Sequence, residues 1–352
     1  MPIRRWTFPL VAALAFGQEA APFPPEAPGS WQPAWEWTFR GDELSDPGYA
    51  PDSFRRAGLQ LRLRWSWDSG ALRLEAGTRS AVGSDGNRFN APRWDQQPSN
   101  GTQIDVARGE VSWVAERAFG ALSVGFQENG LMSSQALWDR DLRLLGVGGT
   151  AGFRGLEGLL QEAGVRVAVG RVRTPLGGAV DLAAGQAVLK LDTGPWSWTA
   201  HAGRWTLGWE PGVARLRPLP GRSALERQRM VVDAGGASGT WNSAFPWSAR
   251  WFQARNPETR ETSEEVQVTA GSRERVYWPQ LSFTWQRLSS TGTLYPVNGD
   301  EWWFYRRARG PRFEASLPLP GRWIASVVVL RQQADGDEYR VTRKMLVLMK
   351  RF

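Results

Sequence analysis

The sequence predicts an all-β fold: an antiparallel up-and-down transmembrane β-barrel of about 16 strands, with 14 and 18 also fitting the spacing. Three observations lead there. The first is alternation. In "AGLQLRLRWSW", Leu59, Leu61, Leu63, Trp65 and Trp67 point one way, and Gln60, Arg62, Arg64 and Ser66 point the other, the period of a strand with one apolar and one polar face. The second is the recurrence of this unit along the chain, with connections that alternate between short and long. The third is a leader-like amino terminus on a chain of 352 residues without a single cysteine.

Residues 1–17, "MPIRRWTFPLVAALAFG", carry Arg4 and Arg5 ahead of a short apolar core, and Ala15-Phe16-Gly17 offers small residues for cleavage. This is the pattern of a secretory signal, and its core is too short to anchor a helix across a bilayer. Residues 18–33 are rich in Pro and Ala, a composition that resists regular structure. The barrel domain is expected over 34–352. Within it, "ALRLEAGTR" follows the opening strand after only Asp68-Ser69-Gly70, a tight hairpin signal. "GVRVAVGR", "PQLSFTWQ" and "PRFEASLPL" repeat the alternation, and "GALSVGFQ", "PWSWTAHAG" and "EVQVTAG" are shorter cases. Gly155–Ala163 reads as a turn with one helical coil, and no amphipathic helix interrupts the series. Thr193-Gly194-Pro195 and Pro320-Gly321 are further tight connections. Long polar stretches run from Ala81 to Thr102, Asn129 to Asp139, Leu207 to Leu225 and Ser289 to Glu301. Short turns at one end and long loops at the other are what a membrane barrel uses. The count reaches about 16 if Glu265–Ala270 and Pro279–Leu288 form one hairpin.

Alternation alone does not say which face is outside. A soluble sandwich turns its leucines inward; a membrane barrel turns them to lipid and its arginines to water. Arg on the lipid face costs roughly 2–4 kcal/mol near the midplane, so Arg62, Arg64 and Arg73 must all avoid it. The chain has 21 Trp against 5 Tyr, and Trp65, Trp67, Trp113, Trp196, Trp198, Trp302 and Trp303 sit at strand ends, where a bilayer interface selects amphipathic rings. These seven are the expected aromatic girdle.

The carboxyl terminus, "YRVTRKMLVLMKRF", closes on Phe352 and resembles the assembly signal of bacterial outer-membrane barrels, with Lys350 at a position where an apolar residue is usual and free to snorkel. The segment from Phe39 to Phe153, with "LQLRLRW", "IDVARGEVSW", "GALSVGFQENGL" and "ALWDRDLRLLGVGG", resembles the alginate-export type and related outer-membrane porins. The resemblance implies a bacterial outer-membrane channel for passive diffusion, with the barrel-assembly machinery, outer-membrane lipid and lipopolysaccharide as partners.

In such a barrel Arg62, Arg64, Arg73, Arg79, Arg166, Lys190 and Arg312 line the pore, with Glu75 and Glu314 as counter-charges. Rings of Arg raise the local anion concentration, so small hydrophilic solutes, anionic or sugar-like, are the expected cargo. Pairing with acidic neighbours would instead leave a weakly selective hole. Arg88, Arg93, Trp94 and Asp95 in the Ala81–Thr102 stretch form the candidate constriction loop. "ALWDRDLR" reads as the ion-paired start of a strand, and Glu264-Glu265 as part of a solvated loop. His201 is the single histidine, expected to line the lumen or hold a hydrogen bond, which leaves little for a Ser/His catalyst or a metal. No catalytic residue, metal site, cofactor or nucleic-acid partner is expected. Two other readings remain open: a secreted Trp-rich β protein that binds polysaccharide, and a plugged structural barrel.

Overall fold

A computed structural model describes residues 31–45, 54–83, 101–138, 142–155, 159–173, 179–209, 229–294, 307–334 and 339–352. Sixteen strands follow in chain order: β1 (Trp31–Ser45), β2 (Phe54–Asp68), β3 (Leu72–Gly83), β4 (Gly101–Ala115), β5 (Ala118–Gln127), β6 (Leu144–Arg154), β7 (Leu160–Arg173) and β8 (Ala179–Asp192), then β9 (Trp196–Trp209), β10 (Arg229–Trp241), β11 (Trp247–Arg255), β12 (Thr262–Gly271), β13 (Gln280–Leu288), β14 (Ala308–Leu319), β15 (Trp323–Ala334) and β16 (Tyr339–Arg351). Each pairs antiparallel with its sequence neighbours, and β1 pairs with β16 from Glu36↔Arg351 to Ser45↔Thr342, so the sheet closes and leaves no edge.

Local chemistry sets the tight end. In the β2–β3 turn Gly70 N donates to Asp68 Oδ1 at 2.7 Å, and Ser69 N to Leu72 O at 3.0 Å. The β8–β9 turn repeats this, with Gly194 N on Asp192 Oδ1 at 2.8 Å and Thr193 N on Trp196 O at 2.9 Å. Gly70 and Gly194 take φ of 87° and 85°, the left-handed region only glycine enters freely. The β14–β15 connection is a single 3₁₀ turn, Pro320–Arg322. β12 and β13 form the hairpin on which the strand count turns.

Exposure settles the faces. Leu59 is 46% exposed and Val167 48%, whereas Arg62 is 6% exposed and Arg312 4%. Aliphatic side chains cover the outside of the cylinder, and the arginine-bearing rows of β2 and β14 face in. A soluble polysaccharide binder would have hidden those leucines. Three lateral ion pairs stand on the outside at the long-loop half of the strands: Arg171 with Asp181 at 3.0 Å, Arg204 with Asp233 at 2.6 Å, and Arg287 with Glu264 at 3.1 Å. Trp65, Trp113, Trp196 and Trp198 are exposed at the short-turn end, with Trp67 half-buried beside them, and Trp31, Trp35, Trp241 and Trp247 extend this band. Trp302 and Trp303 lie outside the described residues. Phe352 N donates to Trp35 O at 3.0 Å, and the two rings stand 4.6 Å apart. Lys350 Nζ lies 5.1 Å from the Trp323 ring and 4.7 Å from that of Phe352, so its charge is held by aromatic faces at the band.

Three boundaries differ from expectation. β1 begins at Trp31, ahead of Ala34, because β2 is long enough to pair Trp31 with Trp67. Leu160–Ala163 belong to β7, with no helical coil among the described residues there. Glu264 and Glu265 stand in β12, because Asn256 closes a short turn by accepting from Glu258 N and Thr259 N through Oδ1 at 2.9 and 3.1 Å.

Candidate functional site: the barrel interior

The inner face of β2–β4 is built around a carboxylate. Asp105 is 1% exposed. Arg62 Nε stands 3.1 Å from its Oδ2, Arg64 Nη2 2.9 Å from the same oxygen, and Arg143 Nη2 3.2 Å from Oδ1. Arg79 is buried on the same wall. Arg64 and Arg143 reach Glu128 as well, at 3.5 and 3.6 Å. The pattern recurs around the cylinder. Asp42 holds Arg40 at 2.7 Å and Arg343 at 2.8 Å, and Glu75 holds Arg73 at 2.7 Å and Arg108 at 2.6 Å. Glu314 holds Arg312 at 2.7 Å and also Arg273. Asp105, Asp42, Glu75 and Glu314 thus each meet two or three guanidiniums among the described residues.

The structure places all nine residues expected to face the lumen on the inner face. Around them it adds Arg40, Asp42, Asp105, Arg108, Arg143 and Arg343. The strand parity of "RGD" at Arg40–Asp42 and of "YRVTRK" at Arg343 carried that signal. Lys190 pairs with Glu162 at 2.8 Å, and Arg166 donates to Gly130 O at 3.2 Å. His201 faces in, with Nδ1 2.9 Å from Gln186 Nε2. Glu265 also faces in, against Arg250 and Gln286, and this corrects its reading as a solvated loop residue. It is drawn in because β12 must present a lumenal row opposite Arg250 of β11.

Arg88, Arg93, Trp94 and Asp95 lie outside the described residues. The segment found inside the barrel is Glu128–Trp138. Gly130 and Asn129 turn it inward, with Leu131 N on Asn129 Oδ1 at 2.9 Å. Ser134 then winds one tight turn, accepting from Leu137 N at 3.1 Å and Trp138 N at 2.9 Å through its carbonyl and from Ala136 N at 3.1 Å through its hydroxyl. This presents Ala136, Leu137 and Trp138 as an apolar tip. The long-loop half of the inner face of β7–β11 is apolar to match: Val172, Leu182, Trp205, Val232 and Phe252 bury against it, and the Trp138 and Trp205 rings lie 5.8 Å apart. Gln186 fastens the segment by accepting from Met132 N at 2.9 Å and donating to Met132 O at 2.7 Å. The start of "ALWDRDLR" is therefore the tip of an infolded segment, and Arg143 supplies the ion-paired start of the next strand; 139–141 lie outside the described residues.

Below the tip a cavity of about 310 Å³ opens among β4–β8 and the segment's first turn. Arg108, Arg166 and Lys190 bring three cations to it, and Glu110, Glu128 and Glu162 three carboxylates. Loss of surrounding water pushes the Glu128 carboxyl up, but Arg143 and Arg64 outweigh this and hold it below its usual range. Inward Gly148 keeps the cavity open, since a Cβ there would stand 2.9 Å from Ser123 Oγ.

No family model matches the chain, and no curated protein sequence matches it. Solved structures do. The chain is similar to OprB of Pseudomonas putida, at 9% identity and a TM-score of 0.63, over 92% of this chain and 94% of that one. It is similar to OmpF of Salmonella typhi, solved in complex with daunomycin, at 10% identity and a TM-score of 0.55, over 92% and 98%. None of these supports the alginate-export subtype. The chain has the fold of the bacterial outer-membrane porins, a closed antiparallel barrel of 16 strands.

Proposed function

We propose that this protein is a passive channel of the bacterial outer membrane for small hydrophilic solutes, with a modest preference for anionic and polyhydroxylated ones. The fold of its structural neighbours and the aliphatic exterior support the membrane location. One observation carries the preference: Arg62, Arg64 and Arg143 all lie within 3.2 Å of the single carboxylate of Asp105. Glu128, 3.5 Å from Arg64 and 3.6 Å from Arg143, adds a second negative charge and the buried Arg79 a fourth positive one, so this cluster still carries more positive than negative charge and concentrates anions. In planar bilayers under a salt gradient the reversal potential will have the sign of anion selectivity. Cation selectivity would overturn the preference.

The apolar seal between Leu137, Trp138 and β7–β11 favours a second reading, a barrel plugged for a structural role. Single-channel conductance separates the two, because a plugged barrel carries no current.

A further inference from the structure

The geometry points to the cavity beneath the infolded segment as a subsite for small zwitterionic solutes of amino-acid size, with the solute carboxylate on Arg166 and its ammonium on Glu128. This deepens the channel reading and rests on it. The cavity is balanced in charge, unlike the positive wall of β2–β4, and its charges are unequally satisfied. Lys190 and Glu162 neutralise each other at 2.8 Å, and Arg108 is held by Glu75 at 2.6 Å. Arg166 donates to the Gly130 carbonyl and has no carboxylate within salt-bridge distance among the described residues, Glu162 acting on it only from farther off. Glu128 is held only at 3.5 and 3.6 Å, and Glu110 by Arg108 at 3.5 Å.

Two buried amides also line this space. Asn129 is 7% exposed and Gln127 1%, and Asn129 Nδ2 and Gln127 Oε1 have no hydrogen-bond partner among the described residues. A buried donor and a buried acceptor without partners are costly, so a small rotation of either amide towards a guest in the cavity is favoured. Asn129 Nδ2 can donate to a carboxylate, and Gln127 Oε1 can accept from an ammonium. Arg166 adds a charge-assisted bond to the carboxylate. A simple anion would use Arg166 and Asn129 but meet three carboxylates; a simple cation would meet three basic groups. A cavity of about 310 Å³ is at the small end of ligand sites, which suits a free amino acid.

The test uses the full chain folded in detergent, with heat-modifiable gel mobility as the check of folding. Saturation-transfer NMR at neutral pH is run with free glycine, acetate and methylammonium as probes. Free glycine will saturate the protein at concentrations at least about tenfold below the other two, and Arg166→Gln will weaken it by about tenfold, the worth of one charge-assisted bond. Asn129→Leu is the second variant and will also weaken glycine binding. Equal binding of the three probes, no binding of glycine, or glycine binding unchanged in Arg166→Gln and Asn129→Leu would each overturn the subsite. Planar-bilayer conductance is read on the same preparation. Conductance without glycine binding sinks the subsite alone, and glycine binding without conductance sinks the channel reading alone.

Discussion

Two stretches of the inner wall obey the same alternation and carry opposite chemistry. On β2–β4 the inward row is Arg62, Arg64, Arg79 and Asp105; on the long-loop half of β7–β11 it is Val172, Leu182, Trp205, Val232 and Phe252. Parity sends both rows inward, and outside both the barrel shows aliphatic groups. The difference lies in what covers each row. The apolar row is roofed by Ala136, Leu137 and Trp138, while the arginine row is held by shared carboxylates. The inner face of this barrel is thus two surfaces: one packs like a protein core, and the other is held by shared ion pairs.

The contrast can be broken from either side. Trp138→Ala removes the roof's largest side chain and is expected to destabilise the barrel by about 3–5 kcal/mol, read from denaturant unfolding, with a rise in single-channel conductance as the segment loosens. No loss of stability would mean that the seal is not a packed core. Asp105→Asn removes the carboxylate that Arg62, Arg64 and Arg143 share, leaving Arg64 and Arg143 the more distant Glu128. It should cost about 1.5–3 kcal/mol, because the amide oxygen still accepts one hydrogen bond, and it should move the reversal potential further towards anions. A shift towards cations would contradict the arginine wall. Gln186→Leu removes both bonds to Met132, for about 1–2 kcal/mol; its clearer mark is increased open-channel noise with little change in mean conductance. Asp181→Asn lies outside both surfaces, in an exposed pair with Arg171, and should change stability by less than about 1 kcal/mol and leave selectivity unaltered.

Much of this was legible in the residues. The unbroken alternation of Leu59 to Trp67, the Asp68-Ser69-Gly70 and Thr193-Gly194-Pro195 turns and the terminal Phe352 led to a barrel of about 16 strands, the number observed. The same parity that faced Arg62, Arg64 and Arg166 inward also faced Trp205 and Leu182 inward. An apolar side chain in a lumenal row signals that something apolar descends onto β7–β11, and no reading of one strand at a time identifies what that is. The tip "ALW" was overshadowed by the charges that follow it in "DRDLR", and Glu265 was read with the polar run "NPETRETSEE" because a turn as short as that made by Asn256 leaves little trace in composition.

What this sequence determined by itself is local and periodic. Side chains alternate every two residues, glycine tolerates positive φ, and an unpaired arginine near the membrane midplane is costly, so the approximate strand number, the tight turns and the polarity of the two faces follow without any long-range knowledge. The tertiary structure alone decided which acids are shared by which arginines, which loop enters the cylinder, and where a cavity of mixed charge is left beneath it. Those depend on residues far apart in the chain, such as Asp42 with Arg343 or Met132 with Gln186, that meet only once β1 has closed on β16 and fixed the register of the whole cylinder.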